Sequence, residues 1–205
     1  MKKIVSILFI ILVGFTTILF AEEIKKYKLM EEIKIISEGD ENAKIKIITY
    51  ESLTCGHCAN FHKDVYPELK KDFIDKGLVK IEFRHFPLDI AAFNASKISQ
   101  CRNDGDSEIL HYLYANQKKW MGGARTPVDI DKNLGKYVKE SMTFYNINME
   151  ECLNNKNLED HVLNDRIEGV KKFKVNATPT IIINDKKFKK DLNYKNLKKY
   201  LEKLI

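Results

Sequence analysis

The feature that most constrains this chain is Cys55-Gly56-His57-Cys58, set where one backbone periodicity gives way to another. Ahead of it, Ile45-Lys-Ile-Ile-Thr-Tyr-Glu51 is dense in β-branched and apolar residues and reads as a buried strand. Behind it, Phe61, Val65, Leu69 and Phe73 recur every four residues, one face of a helix. Pro67 falls inside that helix and predicts a kink, and Gly77 ends it. The first sulfur, on Cys55, therefore sits at a helix N-terminus, where free backbone N–H groups and the helix dipole favour an anion. A thiolate forms there near neutral pH, helped by His57 if its ring donates to the sulfur. Cys58, one turn inside, is shielded and suited to resolve a mixed disulfide carried on Cys55. Zinc sites share the C-x-x-C spacing but call for about four ligands. No second pair exists, and His62 is the one nearby candidate for a third ligand, so no metal or other cofactor is assigned.

The N-terminus reads as an address. Met1-Lys2-Lys3 is cationic, Ile4–Phe20 is uncharged and mostly apolar, and Ala21 precedes Glu22-Glu23. That is the layout of a secretory signal, residues 1–21, cleaved after Ala21; the alternative is a retained membrane anchor. Either arrangement sends the remainder outside the cytoplasmic membrane, where disulfides persist, and the expected location is the periplasm. The net charge of +6 carries no Arg-rich block and no aromatic platform, which argues against nucleic acid as a partner.

The order of elements follows. Ile33–Ile36 suggests an edge strand, and Gly39-Asp40-Glu41-Asn42 a turn. Val79, Ile81 and Phe83 alternate with charged residues as a half-buried strand that closes at Phe86-Pro87. Residues 89–174 read as mostly helical; Leu163, Ile167 and Val170 give helical spacing, with Asn157 as a cap before Leu158. Strand signals return at Thr180–Ile183, followed by a turn at Asn184-Asp185 and an amphipathic helix on Tyr194, Leu197, Leu201 and Leu204. The fold class is α/β with an inserted helical domain. Its expected divisions are 22–88 and 175–205 for the two parts of the α/β domain and 89–174 for the insertion. Pro179, directly before a buried strand, is a candidate cis peptide that would leave the backbone at Thr178 open to an extended substrate; an ordinary trans Pro is the alternative.

These residues together resemble the thioredoxin superfamily, in particular exported DsbA-like thiol:disulfide interchange proteins. The resemblance covers nearly all of residues 33–205. It rests on Gly39–Ala43, Tyr50-Glu-Ser-Leu-Thr-Cys-Gly-His-Cys-Ala-Asn-Phe-His62, Phe86-Pro-Leu-Asp89 and Val175-Asn-Ala-Thr-Pro-Thr180. It implies a thioredoxin fold with Cys55 as nucleophile, Cys58 as resolving cysteine and Thr178-Pro179 as the substrate-binding cis-Pro loop. It also implies reduced or misoxidised secreted proteins as substrates and a membrane thiol oxidase of the DsbB type for re-oxidation.

Two departures stand out. Gly56-His57 is the dipeptide of eukaryotic protein disulfide isomerases, whereas DsbA-like oxidases more often carry Pro-His. Many relatives hold a buried Glu six residues before the first cysteine, and Thr49 stands there in this chain. Glu51, on the same strand face, is the substitute proton relay, unless it is an exposed strand-end carboxylate. Cys101 and Cys152 fall in the insertion; an even cysteine count and the family's habit point to a structural disulfide, the alternative being two buried thiols. His85, His111 and His161 have no convergent partners in the linear order. The reading is an exported oxidase, expected as a monomer. An isomerase or reductase of the same fold comes second, and a copper-handling or chaperone-like binding protein is the reading from another class.

Overall fold

β-Branched residues build the centre of the sheet. A computed structural model describes residues 32–205; the expected signal at 1–21 and the stretch to residue 31 lie outside the described residues. Strand β2 (Ile45–Glu51) pairs in parallel with β3 (Val79–His85), Ile47 beside Ile81 and Glu51 beside His85. On its other side it pairs antiparallel with β4 (Thr180–Ile183), whose outer neighbour is β5 (Lys186–Lys187). Strand β1 (Ile36–Glu38) closes the opposite edge against β3, giving the order β1-β3-β2-β4-β5. β1 begins where the expected edge strand was to end. Ile36, Ser37 and Glu38 find partners on β3, and Gly39 ends the strand. Its φ of +97° is open to glycine, and a Cβ there would lie 2.3 Å from the Val79 carbonyl oxygen.

The helix after Cys55 is broken. Helix α1 (Gly56–Asp64) is followed by α2 (Tyr66–Leu69) and a π-helical turn, Lys70–Ile74. Pro67 has no N–H to donate to the carbonyl four residues back, which places the break at Val65. Between β3 and β4 lie α3 (Ile90–Ser99), α4 (Glu108–Ala115), α5 (Gln117–Met121), α6 (Pro127–Ser141), α7 (Met149–Asn154) and α8 (Lys156–Phe173). Their starts are locally encoded. Asp89 accepts the Ala92 N–H, Thr126 and Asp129 form a reciprocal capping box ahead of Pro127, and Asn148 accepts the Glu151 N–H. Helix α9 (Tyr194–Leu201) packs Leu197 and Leu201 into the main core. Residues 33–205 form one compact unit. Among the described residues no helix is long and apolar enough to cross a membrane.

Helix α8 bears out the helical spacing of Leu163, Ile167 and Val170 and corrects the expected cap. Its cap is Asn155, whose side chain accepts the N–H groups of Asn157 and Leu158; Asn157 is already inside the helix. Its buried face is Leu158, Val162, Asp165 and Gly169, while Leu163, Ile167 and Val170 are 39%, 46% and 45% exposed. The reason is steric and electrostatic. Gly169 lets the Tyr50 ring lie against the helix, where a Cβ would meet ring carbons at 2.8 Å. Asp165 binds Arg84 at 2.9 Å and the His85 N–H at 3.0 Å. A glycine and a paired acid choose the face that the aliphatic spacing does not.

Cys101 and Cys152 are joined in a disulfide, Cα–Cα 5.4 Å, closing a loop with a sequence separation of 51 residues. A loop of that length reduces the unfolded chain's entropy by an amount worth about 4 kcal/mol. The C101A/C152A variant should therefore melt well below the parent while keeping its far-ultraviolet spectrum. Gly169→Ala should destabilise by about 1–3 kcal/mol through overpacking against Tyr50, read as a lower denaturant midpoint; an unchanged midpoint would show that Tyr50 moves freely.

Candidate active site

Ser52-Leu53-Thr54-Cys55 turns the chain out of β2, closed by the Cys55 N–H donating to the Ser52 carbonyl at 2.9 Å. Cys55 is the N-cap of α1, in extended conformation and half-buried. Its position is fixed from two sides. Gln117, on α5, donates its side-chain amide to the carbonyls of Leu53 at 2.7 Å and Cys55 at 3.1 Å. Thr54 donates to Asp89, the cap of α3, at 2.6 Å. Opposite lies the loop before β4, where the Thr178-Pro179 peptide is cis and the Thr178 carbonyl accepts from the Cys55 thiol at 3.4 Å. Cys55 and the cis-Pro loop, 123 residues apart in sequence, thus touch directly.

Cys55 and Cys58 are free thiols with opposed electrostatics. The Cys55 pKa is lowered to about 5, chiefly by the Cys58 thiol turned toward it. Burial opposes that shift; the Thr178 side chain and the backbone N–H groups of Cys58 and His57 add to it. Cys58 is fully buried. Burial, then the bond to Cys55, then the charge of Glu51, push its pKa far up. The pair is therefore a half-buried sulfur inclined to ionise beside a buried one held protonated. His57 has an exposed ring with no hydrogen-bond partner among the described contacts; its position serves the sulfur through its backbone N–H.

Glu51 is buried, 4% exposed, not an open strand-end carboxylate. One of its oxygens binds His62 Nε2 at 2.6 Å, and the other, Oε1, has no hydrogen-bond partner. Tyr114 Oη is buried and likewise unpartnered, and burial together with the nearby Glu51 charge raises its pKa. His62 stacks on Tyr114, ring centroids 4.1 Å apart, and so belongs to a carboxylate rather than to a zinc set with the cysteines. A cleft of about 1000 Å³, lined by Gly56, His57, Asn60, His62, His111 and Gln117 among others, runs alongside α1. Sequence order gave no sign of Gln117, Tyr114 or His111, because tertiary packing alone brings α4 and α5 over the motif. On β3 and α8, His85, His161 and Asp165 place potential metal-ligand atoms within 4.8 Å of one another. Both Asp165 oxygens, however, are already held by Arg84 and the His85 N–H.

This arrangement can be set beside known proteins. Residues 32–203 match the family model described as thioredoxin, so the chain belongs to the thioredoxin family. Disulfide bond formation protein D of Bacillus subtilis is 26% identical over 174 residues, 80% of this chain and 74% of that protein. A Rickettsia bellii protein named for protein-disulfide oxidoreductase activity is 31% identical over 102 residues, 48% of this chain but only 39% of that protein's length. The crystal structure of Wolbachia pipientis alpha-DsbA1 superposes with a TM-score of 0.70 at 26% identity, covering 83% of this chain and 90% of that one. Within the family, this chain is of the DsbA-like type.

The Cys55 charge sets a pH window. Its folded pKa is depressed, so its thiolate stabilises the reduced protein fully above the unfolded thiol's pKa, and that contribution is lost as pH falls through about 5. Cys58 acts in reverse, its contribution declining once pH rises above the unfolded thiol's pKa. Thiolate absorbance near 240 nm should accordingly show a single transition close to pH 5 in the reduced protein, absent in Cys55→Ser. A transition near pH 9 would contradict this account.

Proposed function

We propose that this chain is an exported thiol:disulfide oxidoreductase that donates a Cys55–Cys58 disulfide to reduced secreted proteins. The observation that carries this reading is the Cys55 sulfur, held between a helix tip and the Thr178 carbonyl, with a pKa brought down to about 5. A client thiolate attacks the Cys55 sulfur, and the Cys58 sulfur leaves and is protonated. A second client thiolate then attacks the client sulfur of that mixed disulfide, and Cys55 departs as thiolate. Because the reduced protein keeps Cys55 as a stabilised anion, the disulfide is the higher-energy form and oxidises its client.

The cis peptide at Thr178-Pro179 supports a role for that loop in holding extended client backbone beside Cys55. The remaining assignments extend the reading. The charged start and apolar run of residues 1–21 support export to the periplasm through a cleaved signal. Re-oxidation falls to a membrane thiol oxidase of the DsbB type, and the protein acts as a monomer. The inserted helical segment 89–174 shapes the cleft beside the motif. A second reading, isomerase or reductase, is favoured by Gly56-His57 in the redox motif.

Cys55→Ser should abolish disulfide formation in a reduced model protein. Cys58→Ser should instead accumulate a covalent client adduct on Cys55, visible by mass as a mixed disulfide. An equilibrium constant against glutathione close to that of strong oxidants supports the oxidase. A value near thioredoxin's, about −270 mV as a potential, supports the reductase. Full activity in Cys55→Ser would refute both.

A further inference from the structure

The cleft of about 1000 Å³ beside α1 carries formal charge of one sign on its walls. Gly56, Asn60, Lys63 and Pro67 recur at helical spacing and supply one wall. Ala115, Asn116, Lys118 and Lys119, where α4 passes into α5, supply the other. Lys63, Lys118 and Lys119 are exposed and enter no ion pair among the described residues. None of the described residues that line the cleft is acidic. Glu51 and Glu38 bind two of its lining rings, His62 at 2.6 Å and His111 at 2.9 Å, and so are already engaged. Three unmatched cations around a concave, partly apolar wall focus a positive field into the space between them.

The cleft opens at the reacting sulfur. Gly56 and His57 line it and follow Cys55 directly. Gln117, another lining residue, donates to the Cys55 carbonyl at 3.1 Å. From the opposite loop, the Thr178 carbonyl meets the Cys55 sulfur at 3.4 Å. A client cysteine that reaches Cys55 therefore has the cis-Pro loop on one side and the cleft on the other. From Gly56 to Lys63 the helix advances about 10 Å, which is about three residues of extended chain. Client side chains that close to the cysteine fall within reach of the three lysines.

We propose that this cleft docks acidic client sequence: an extended polypeptide segment with Asp or Glu within about three residues of the cysteine to be oxidised, its carboxylates paired with Lys63, Lys118 and Lys119. The inference deepens the oxidoreductase reading above and rests on it. The lysines touch no reacting atom. They act on encounter, before any bond breaks, by raising the rate at which an acidic client meets Cys55 and by repelling a basic one. A polypeptide rather than a small anion is the occupant, because the cleft continues from the very point where the client backbone crosses Cys55.

Oxidised full-length protein is mixed with synthetic peptides that each hold two cysteines in a stretch of Glu, of Gln or of Lys. Samples are quenched in acid, and closure of the peptide disulfide is followed by mass. Each rate is divided by that peptide's rate with hydroxyethyl disulfide, an uncharged oxidant, which removes the effect of the flanks on the thiols' own reactivity. The Glu peptide should be oxidised about fivefold faster than the Gln peptide, and the Lys peptide slowest. In K63Q/K118Q/K119Q the Glu and Gln rates should converge, and in K63E/K118E/K119E the Lys peptide should become fastest. K186Q/K189Q/K190Q removes the same charge on and beyond β5 and should keep the parent's order. The Cys55 transition near pH 5 should persist in both glutamine variants and so report an intact motif. Equal normalised rates in the parent, an order that survives the cleft substitutions, or one lost equally in the β5 variant overturns the docking proposal and leaves the oxidoreductase reading in place. If the parent closes a disulfide in none of the peptides, that reading itself fails, and the proposal with it.

Discussion

The structure depends on one contact, the Cys55 sulfur against the Thr178 carbonyl across the carboxyl ends of the central strands. To make it, β2 must deliver Cys55 to the tip of α1 while β4, arriving antiparallel on the same side of β2, delivers Pro179. The rest of the sheet is what lets two segments so distant in sequence arrive in register. The two sulfurs differ: one is drawn toward anionic character by the Cys58 thiol, the Thr178 side chain and backbone N–H groups, the other is walled off in the core. Chemistry at this site is a difference in environment between atoms only one helical turn apart.

Burial beside the motif extends to charged groups. The Glu51 carboxylate at the end of β2, whose charge acts on Cys58, is itself taken out of solvent. The carboxylate would itself be stranded without His62, and His62 without His111. Each buried polar group answers the unmet valence of the one before, until the row surfaces at Glu38. Tyr114 stacks on His62 and closes the assembly from α4.

Much of this was legible in the linear chain, for identifiable reasons. The redox motif, the strand before it and Pro179 before Thr180 are local signals, each carried by residues adjacent in sequence. The same holds for the inserted helices, whose caps at Asp89 and Thr126 are short-range features. Other features were not local. The edge strand was displaced because pairing with β3, not the run of isoleucines, decides where β1 begins. The buried face of α8 was hidden because Gly169 and Asp165 are poor markers of burial; what buries them is the Tyr50 ring and Arg84, far away in sequence. Glu51 carried two sequence readings, and its burial removes the exposed strand-end one. His111 was unreadable, since its partners lie on α1 and β1 and no spacing rule relates positions 38, 51, 62 and 111.

The amide of Gln117 gives the helical layer a mechanical character. It grips the carbonyls on both sides of Thr54, so α5 is bolted to the very peptide units that present Cys55. Swinging that layer outward would sever both bonds and release the turn that aims Cys55. Through these bonds the insertion acts as a strut under the turn that carries Cys55.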